Sequence, residues 1–489
     1  MIYLFQNSRE YDYDVRAIAL TFFERAKIQE VSETEWDRQK SAASPEEDTL
    51  FMRIEYSDKH IDGEIRSSEG KTASQSVDCD YLDHEHCRND VSRFLYRLCS
   101  AFTGRVLPWG TLTGIRPTKI IMKWMEEEEN GAVLEQRFTD TYLADPQKAS
   151  LCRRVAAKER EILSAHNYEE EYSLYIGIPF CPTTCLYCSF ASFPVSAFKD
   201  RMEPYLHALF QEMRYVSRVC RKPLTSIYVG GGTPTALDED SLQRLMDEIH
   251  RLFPVDSIRE FTVEAGRPDS INRKKLEILK EAGVGRISIN PQTMHQETLD
   301  LIGRAHTVDQ TREAYALARE TGFPVINMDI ISGLPGEDIR HIRGTLEELF
   351  ALKPENLTVH SLAIKRAAHL NMEMERYQSL VKGTSNDMLR LADQVCSQMG
   401  MEPYYMYRQK NIPGNLENIG YSLPGAEGLY NILIMEEKQD IIACGAGSST
   451  KYVFPSENRI ERTENVKNID HYIQRIGEMI ERKALYLGE

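Results

Sequence analysis

Between Leu174 and Ile364, six short apolar segments alternate with longer stretches of helical periodicity, and this alternation narrows the fold more than any other feature of the chain. The segments are LYIGIPF, SIYVGG, EFTVEAG, RISINPQ, NMDIISGLP with its lead-in VI, and LTVHSLAI. Each is rich in β-branched and aromatic residues and reads as a buried strand. In SLQRLMDEIHRLF, Leu242, Leu245, Ile249 and Leu252 recur at helical spacing with charged residues between them. That spacing predicts an amphipathic helix. Units repeated in this order predict parallel strands joined by right-handed crossovers. The expected fold is α/β, with a partial (β/α)6 parallel barrel over residues 166–370.

A chain of 489 residues exceeds what one hydrophobic core usually serves. Residues 1–165 mix strand and helix patterns and predict an N-terminal α+β domain. They include the polar stretch SAASPEEDT, read as a loop, and the acidic run Glu126–Glu129, read as a solvated helix face. LPWGTLTGIRPTK, dense in Gly, Pro and Thr, reads equally as a turn-rich connector or as an anion site lined by Arg116 and Lys119 beside Trp109. Residues 371–489 contain a helical stretch, PYYMYRQKN, a loop rich in Gly, Asn and Pro, and a strand pair around NILIMEE and DIIACGAG. They predict a smaller α+β region that covers the substrate.

The net charge of −16 argues against nucleic acid as the main partner, because polyanion binding relies on clustered Lys and Arg. It leaves room for a local basic pocket. The opening MIYLFQNSREYDYDV lacks a basic start and a continuous apolar run, and nowhere do about 18 apolar residues follow one another. No membrane association is expected, and the cytoplasm is the expected location. The ten cysteines then read better as metal ligands, redox groups or core residues than as a disulfide framework.

At the end of the first strand stands IPFCPTTCLYCSF, with Cys181, Cys185 and Cys188 at i, i+4 and i+7. A tight loop of this length can aim three sulfurs at one cubane, and soft thiolates suit iron–sulfur chemistry. Three ligands leave one iron open, unlike the closed set of a structural zinc site or a ferredoxin. The competing readings are a zinc site completed by a distant His or Cys, and three unrelated thiols. Cys220, Cys396 and Cys444 read as small apolar core residues. CDYLDHEHC, with Cys79, His84, His86 and Cys87, fits no zinc spacing and reads as a surface loop.

Active sites of parallel barrels gather where the strands end, at the C-terminal face, so ligand-type residues are expected there. Gly230, Gly231 and Gly232 end the second strand, where missing side chains let backbone approach a ligand. Glu264 ends the third, Gln292 the fourth and Asp329 the fifth, all suited to hydrogen-bond hydroxyls or an amine. Arg304 in LIGRAHT can pair a carboxylate through its planar fork.

CxxxCxxC after a first strand and GGGTPT after a second resemble the radical S-adenosylmethionine superfamily, a resemblance covering the whole barrel. YIGIPFC is similar to the YxHIPFC hallmark of the coproporphyrinogen dehydrogenase group, with Gly177 standing where that pattern has His. LTGIRPTK, IGIPFCPTTCLYCSF and PYYMYRQKN together look most like its HemZ-type branch. The resemblance implies a 4Fe-4S cluster on Cys181, Cys185 and Cys188 and one or two molecules of S-adenosylmethionine. By motif, it implies cofactor contacts at Tyr175, Tyr187, Gly231, Gly232, Thr233, Glu264, Gln292, Arg304, Asp329 and Ala363.

It further implies an oxygen-independent oxidoreductase of haem biosynthesis that converts two propionates of coproporphyrinogen III to vinyl groups with loss of carbon dioxide. Such an enzyme draws on an external electron donor such as flavodoxin or ferredoxin. A tetra-anionic tetrapyrrole needs cationic partners, for which Arg116, Lys119, Lys365, Arg366, Arg408 and Lys410 are the candidates. Two other readings within the superfamily are a haem chaperone, whose HNxxYW motif is replaced here by RQKNIPGNLENIGYSLPG, and a methyltransferase-type enzyme on another tetrapyrrole or unrelated substrate.

Overall fold

The computed structural model describes residues 1–23, 26–42, 48–79, 84–114, 116–128, 130–165, 167–409 and 412–488. They sort into two compact units: residues 1–153 with 408–416, and residues 154–407 with 417–489.

The smaller unit is built on a five-stranded sheet of β1 (Ile2–Gln6), β2 (Ile28–Glu30), β3 (Leu50–Ser57), β4 (His60–Ser67) and β5 (Thr72–Asp78), in the order β2-β1-β3-β4-β5. β1 runs parallel to β2 and β3, and β3 to β5 form an antiparallel meander. The helices Asp12–Phe22 and His84–Thr103 share one apolar core with the sheet, through Val15, Ile18, Val91 and Phe94 against Ile2, Leu4, Ile54 and Ile61. A Cβ on Gly63 would stand 2.7 Å from the Phe94 ring, so glycine there lets helix and sheet approach closely.

Two expectations change here. Cys79 and Cys87 are buried in this core with their sulfurs 2.9 Å apart, not set in a surface loop, because Cys87 lies in the first turn of a helix that packs on the sheet. Residues 80–83 of that segment lie outside the described residues, as do 43–47 of SAASPEEDT. The acidic run is not a helix face either: the helix Thr118–Trp124 stops before it and Glu126 and Glu127 form a turn, while Glu129 lies outside the described residues.

The larger unit carries the predicted repetition. Its parallel strands are β6 (Tyr172–Ile178), β9 (Leu224–Gly231), β10 (Glu260–Glu264), β11 (Arg286–Ser288), β12 (Val325–Ser332) and β13 (Asn356–Ser361), while β7 (Phe180–Cys181) and β8 (Phe193–Pro194) form a two-stranded clasp after β6. The predicted helix forms at Glu239–Leu252, capped by the Asp238 carboxylate on the Ser241 amide at 2.8 Å, and it buries Leu242, Leu245 and Ile249.

The residues after 371 do not sort as a region of their own. β14 (Glu402–Arg408) and β15 (Glu417–Ser422) extend the sheet beyond β13, and β16 (Asp440–Cys444), β17 (Ser449–Phe454) and β18 (Arg459–Glu464) extend it beyond β6. The complete order is β14-β15-β13-β12-β11-β10-β9-β6-β16-β17-β18, an open sheet in which β16 runs parallel to β6. NILIMEE, expected as a strand, belongs to the helix Leu429–Glu436. Its first amides, on Leu429 and Tyr430, donate to the Glu260 carboxylate at 2.7 and 3.3 Å, which satisfies donors a helix start leaves open.

Candidate metal centre and cofactor site

The clasp brings the three sulfurs together. β7 pairs with β8, and the Phe193 amide donates to the Pro179 carbonyl at 2.8 Å, so the chain returns to its start and the cysteine loop is pinched at its base. Inside the loop, the Cys188 amide donates to the Cys185 carbonyl at 3.1 Å. The loop is tied outward as well: the Leu186 amide to the Ile302 carbonyl (2.9 Å), the Leu370 amide to the Leu186 carbonyl (2.8 Å), and the Thr183 hydroxyl to the Gly303 carbonyl (3.0 Å).

The glycine turn lies directly on this loop. The Gly232 amide donates to the Ile178 carbonyl at 2.8 Å and the Thr233 amide to the Phe180 carbonyl at 2.7 Å. A Cβ at position 232 would come within 2.6 Å of the Phe180 oxygen and 2.9 Å of the Cys181 sulfur, and Gly231 has φ +117°, so glycine is required at both.

Each thiol has its own polar neighbour. Cys181 Sγ lies 3.6 Å from the Thr233 hydroxyl, Cys188 Sγ lies 3.9 Å from that of Ser192, and Arg267 Nη1 donates to Cys185 Sγ at 3.7 Å. Burial holds the Cys181 thiol up at about 11 and the Cys188 thiol above its ordinary value. Thiolates here call for positive charge nearby. Among the described residues, no three His, Cys, Asp or Glu groups converge tightly enough for a single metal ion. Three soft thiolate donors on one loop suit iron–sulfur chemistry.

Around the loop stand the strand-end residues. Glu264 accepts from the Tyr228 hydroxyl at 2.6 Å, and Tyr228 clusters with Tyr175 and Tyr430, whose ring centres lie 6.1 and 4.5 Å from its own and 6.4 Å from each other. Asp329 accepts from Asn327 Nδ2 at 2.7 Å and lies 3.8 Å from His360 Nε2. Gln292, at φ +67°, donates its amide to the Asp329 carbonyl and accepts from the Ile331 amide, both at 2.9 Å, prolonging the sheet past β11. Arg304 donates to the Asn290 carbonyl; burial pulls its pKa down, but Tyr187 and Cys185 beside it more than reverse that. Ala363 follows β13, next to Leu362, whose amide donates to the Ser332 carbonyl at 3.0 Å. A Cβ at Gly177 would sit 3.4 Å from the Cys444 oxygen, an ordinary contact.

The two carboxyl groups differ in charge. Glu264 is held up at about 7 from the ordinary 4.5, first by burial and then by the neighbouring Asp329, against the Tyr228 hydrogen bond. Asp329 stays low, because His360 and Asn327 outweigh its burial. A raised carboxyl keeps its proton in the folded chain where the unfolded chain has lost it. Its stabilising contribution is complete below about 4.5 and is lost as pH rises through about 7. In protein without added cofactor, Glu264→Gln is expected to flatten that decline in urea midpoints measured across this window. An unchanged slope would show that Glu264 titrates alike in the folded and the unfolded chain.

The cationic candidates divide between the two units. Lys365 and Arg366 belong to the larger unit, where Lys365 Nζ lies 5.5 Å from the Phe190 ring and close enough to Cys188 to feel its charge. Arg366 is exposed beside it. Arg116, Lys119 and Arg408 belong to the smaller unit. Arg408 is 2% exposed, lies 5.2 Å from the Trp109 ring and donates to the Leu112 and Asn415 carbonyls at 2.8 and 3.1 Å. That burial gives Arg408 a packing role within the smaller unit. Lys410 lies outside the described residues. Sequence reasoning also passed over Arg267, Tyr228, His360 and Tyr430; the first stands only three residues beyond Glu264 in EAGRPDS, and its place just past a strand end was the available signal.

Residues 175–349 match the Radical SAM superfamily. Across 456 residues the chain is 38% identical to the oxygen-independent coproporphyrinogen-III oxidase-like protein HemZ of Bacillus subtilis, covering 91% of each. The chain belongs to the radical SAM superfamily, in its HemZ branch. As a radical SAM protein it uses a 4Fe-4S cluster and S-adenosylmethionine. This HemZ-type chain is also 33% identical over 310 residues to the heme chaperone HemW of Bacillus subtilis, across 63% of its own length and 76% of that protein. Coproporphyrinogen III oxidase (HemN) from Escherichia coli shares the fold, with a TM-score of 0.50 at 22% identity over 66% of this chain and 73% of that one. Among the described residues, no helix is long and apolar enough to cross a membrane.

Proposed function

We propose that this HemZ-type chain is an oxygen-independent coproporphyrinogen III dehydrogenase that acts in the cytoplasm and turns two propionates into vinyl groups with release of carbon dioxide. The observation that supports the reading is the cysteine loop with Arg304 beside Cys185, and Glu264 beside Asp329, in a chain similar to a coproporphyrinogen oxidase-like protein over nearly its whole length. The bound cluster and S-adenosylmethionine supply one-electron reductive cleavage and, from it, abstraction of a substrate hydrogen.

The chain's own groups do the rest. Cys181, Cys185 and Cys188 hold the cluster. The backbone of Gly231–Thr233 gives close approach to the cofactor, and Tyr175, Tyr187, Gln292 and Ala363 line its place. Glu264, held up at about 7, and Asp329, held low, offer donors and acceptors to an amine and to ribose hydroxyls, while Arg304 pairs a carboxylate. Lys365 and Arg366 meet propionates, since buried carboxylates without partners are costly. The helix Leu429–Glu436 packs Tyr430 on Tyr228 and keeps water from that side. An external flavodoxin or ferredoxin provides the electron for cleavage, and an external one-electron acceptor takes the electron left on the substrate radical as carbon dioxide leaves and the vinyl group forms.

The similarity to a heme chaperone supports a second reading, haem binding without turnover. Anaerobic reconstitution followed by incubation with S-adenosylmethionine, reductant and coproporphyrinogen III separates the two. Stepwise loss of two carboxyl groups by mass analysis, with 5'-deoxyadenosine formed, is expected. Stoichiometric haem binding with no such loss favours the chaperone, and a methylated product would assign a transfer reaction instead.

A further inference from the structure

Arg267 is 3% exposed, sealed beside the cysteine loop in the turn that leaves β10. Its fork is completely engaged. Nε and Nη2 donate to the two oxygens of Asp269 at 2.9 and 2.8 Å, and Nη1 donates to the Thr183 carbonyl at 3.3 Å, to the Thr183 hydroxyl at 3.1 Å and to Cys185 Sγ at 3.7 Å. The short spacing from Arg267 to Asp269 across Pro268 lets one carboxylate close on one edge of the guanidinium. A buried guanidinium is costly unless paired and hydrogen-bonded. Here the pairing is one-sided, which leaves the opposite edge to point at a sulfur.

The three thiols are therefore unequal. Hydroxyls stand beside Cys181 and Cys188, whereas two cations approach Cys185: Arg267, which donates to its sulfur at 3.7 Å, and Arg304. A charged donor on a ligand sulfur draws electron density from the metal, and the potentials of iron–sulfur centres follow the hydrogen bonds to their sulfurs. Charge-assisted bonds are the stronger kind.

We propose that Arg267 is a positioning residue that holds the Cys185 thiolate and raises the reduction potential of the cluster bound there, easing its reduction by a one-electron donor. The role rests on the assignment of the three cysteines as cluster ligands. Asp269 tempers it by neutralising part of the charge. Its two neighbours thus act with opposite sign on one quantity, which a mere staple between loops would leave unmoved.

The test is redox titration of the anaerobically reconstituted protein, followed by electron paramagnetic resonance, with iron counted per chain. Arg267→Gln is expected to lower the equilibrium constant for reduction about tenfold, about 59 mV for one electron. Arg267→Lys, which keeps the charge, should recover part of that. Asp269→Asn should move the potential the other way. A wild-type potential in Arg267→Gln at full iron content overturns the proposal. Should that variant fail to hold iron, Asp269→Asn decides, and an unchanged potential there overturns it equally. A wild-type protein that assembles no cluster would sink the ligand assignment itself, a different failure from an unmoved potential.

Discussion

Cys185→Ala leaves the larger unit folded and abolishes stable iron loading. Cys185 is a small buried side chain on a loop whose backbone is held from outside, by the Phe193, Leu186 and Leu370 amides and the Thr183 hydroxyl. Removing one sulfur breaks none of those bonds. Arg267 still has Asp269 and Thr183, so no buried charge is stranded. What disappears is one of three donors to a group that needs all three, and two thiolates cannot hold a cubane with an open corner. Iron and sulfide per chain should fall to background while the circular dichroism stays that of the parent, and turnover should drop below detection. Full iron retention would contradict the ligand assignment.

Lys483→Met should destabilise the larger unit by about 3–5 kcal/mol, the usual cost of stranding one member of a buried ion pair. Lys483 and Glu212 are 1% and 0% exposed and meet at 2.6 Å. Glu212 also accepts from the Tyr472 hydroxyl at 2.5 Å, from Asn465 Nδ2 at 2.8 Å and from the Gly445 amide at 2.8 Å. Three neutral donors do not replace a cation once the carboxylate is dry. Set against a typical total of roughly 5–15 kcal/mol, that loss is severe. The effect reaches the site through Tyr205, which donates to the Gly177 carbonyl at 2.6 Å and accepts from the Ala446 amide at 3.1 Å. This joins the end of β16 to the end of β6, the strand that leads into the cysteine loop. Thermal unfolding checks the prediction, and the double variant Glu212→Gln with Lys483→Met should recover most of the loss. Equal stability of the single variant and the parent would show the pair to be hydrated.

The strands and the thiol loop were legible because their signals are local. Six apolar runs, a CxxxCxxC and a GGG each speak through neighbouring residues, and the strands end where the ligand-type residues stand. The errors arose where distant residues decide. NILIMEE has no period that separates helix from strand, and a carboxylate at Glu260, far back in the chain, ties down its first amides. Arg408 looks like any basic residue near an aromatic run until the Leu112 and Asn415 carbonyls are seen to claim it. Cys79 and Cys87 looked exposed among polar residues, and only the fold of their unit buries them. Arg267 was readable by position but not by partner, since Thr183 and Cys185 reach it from another strand end.

The adjoining of β16 to β6 carries a practical consequence. In sequence the barrel half seems to finish near 370, yet β6, the strand that leads into the cysteine loop, has a ladder on either flank only because residues 440–444 supply one. A fragment excised at that apparent border would bare a long apolar margin beside its most critical loop, the kind of surface that recruits other chains. Residues 440–464 thus belong to the same sheet as the strand that feeds the thiol loop, and a piece that stops near 370 lacks that flank.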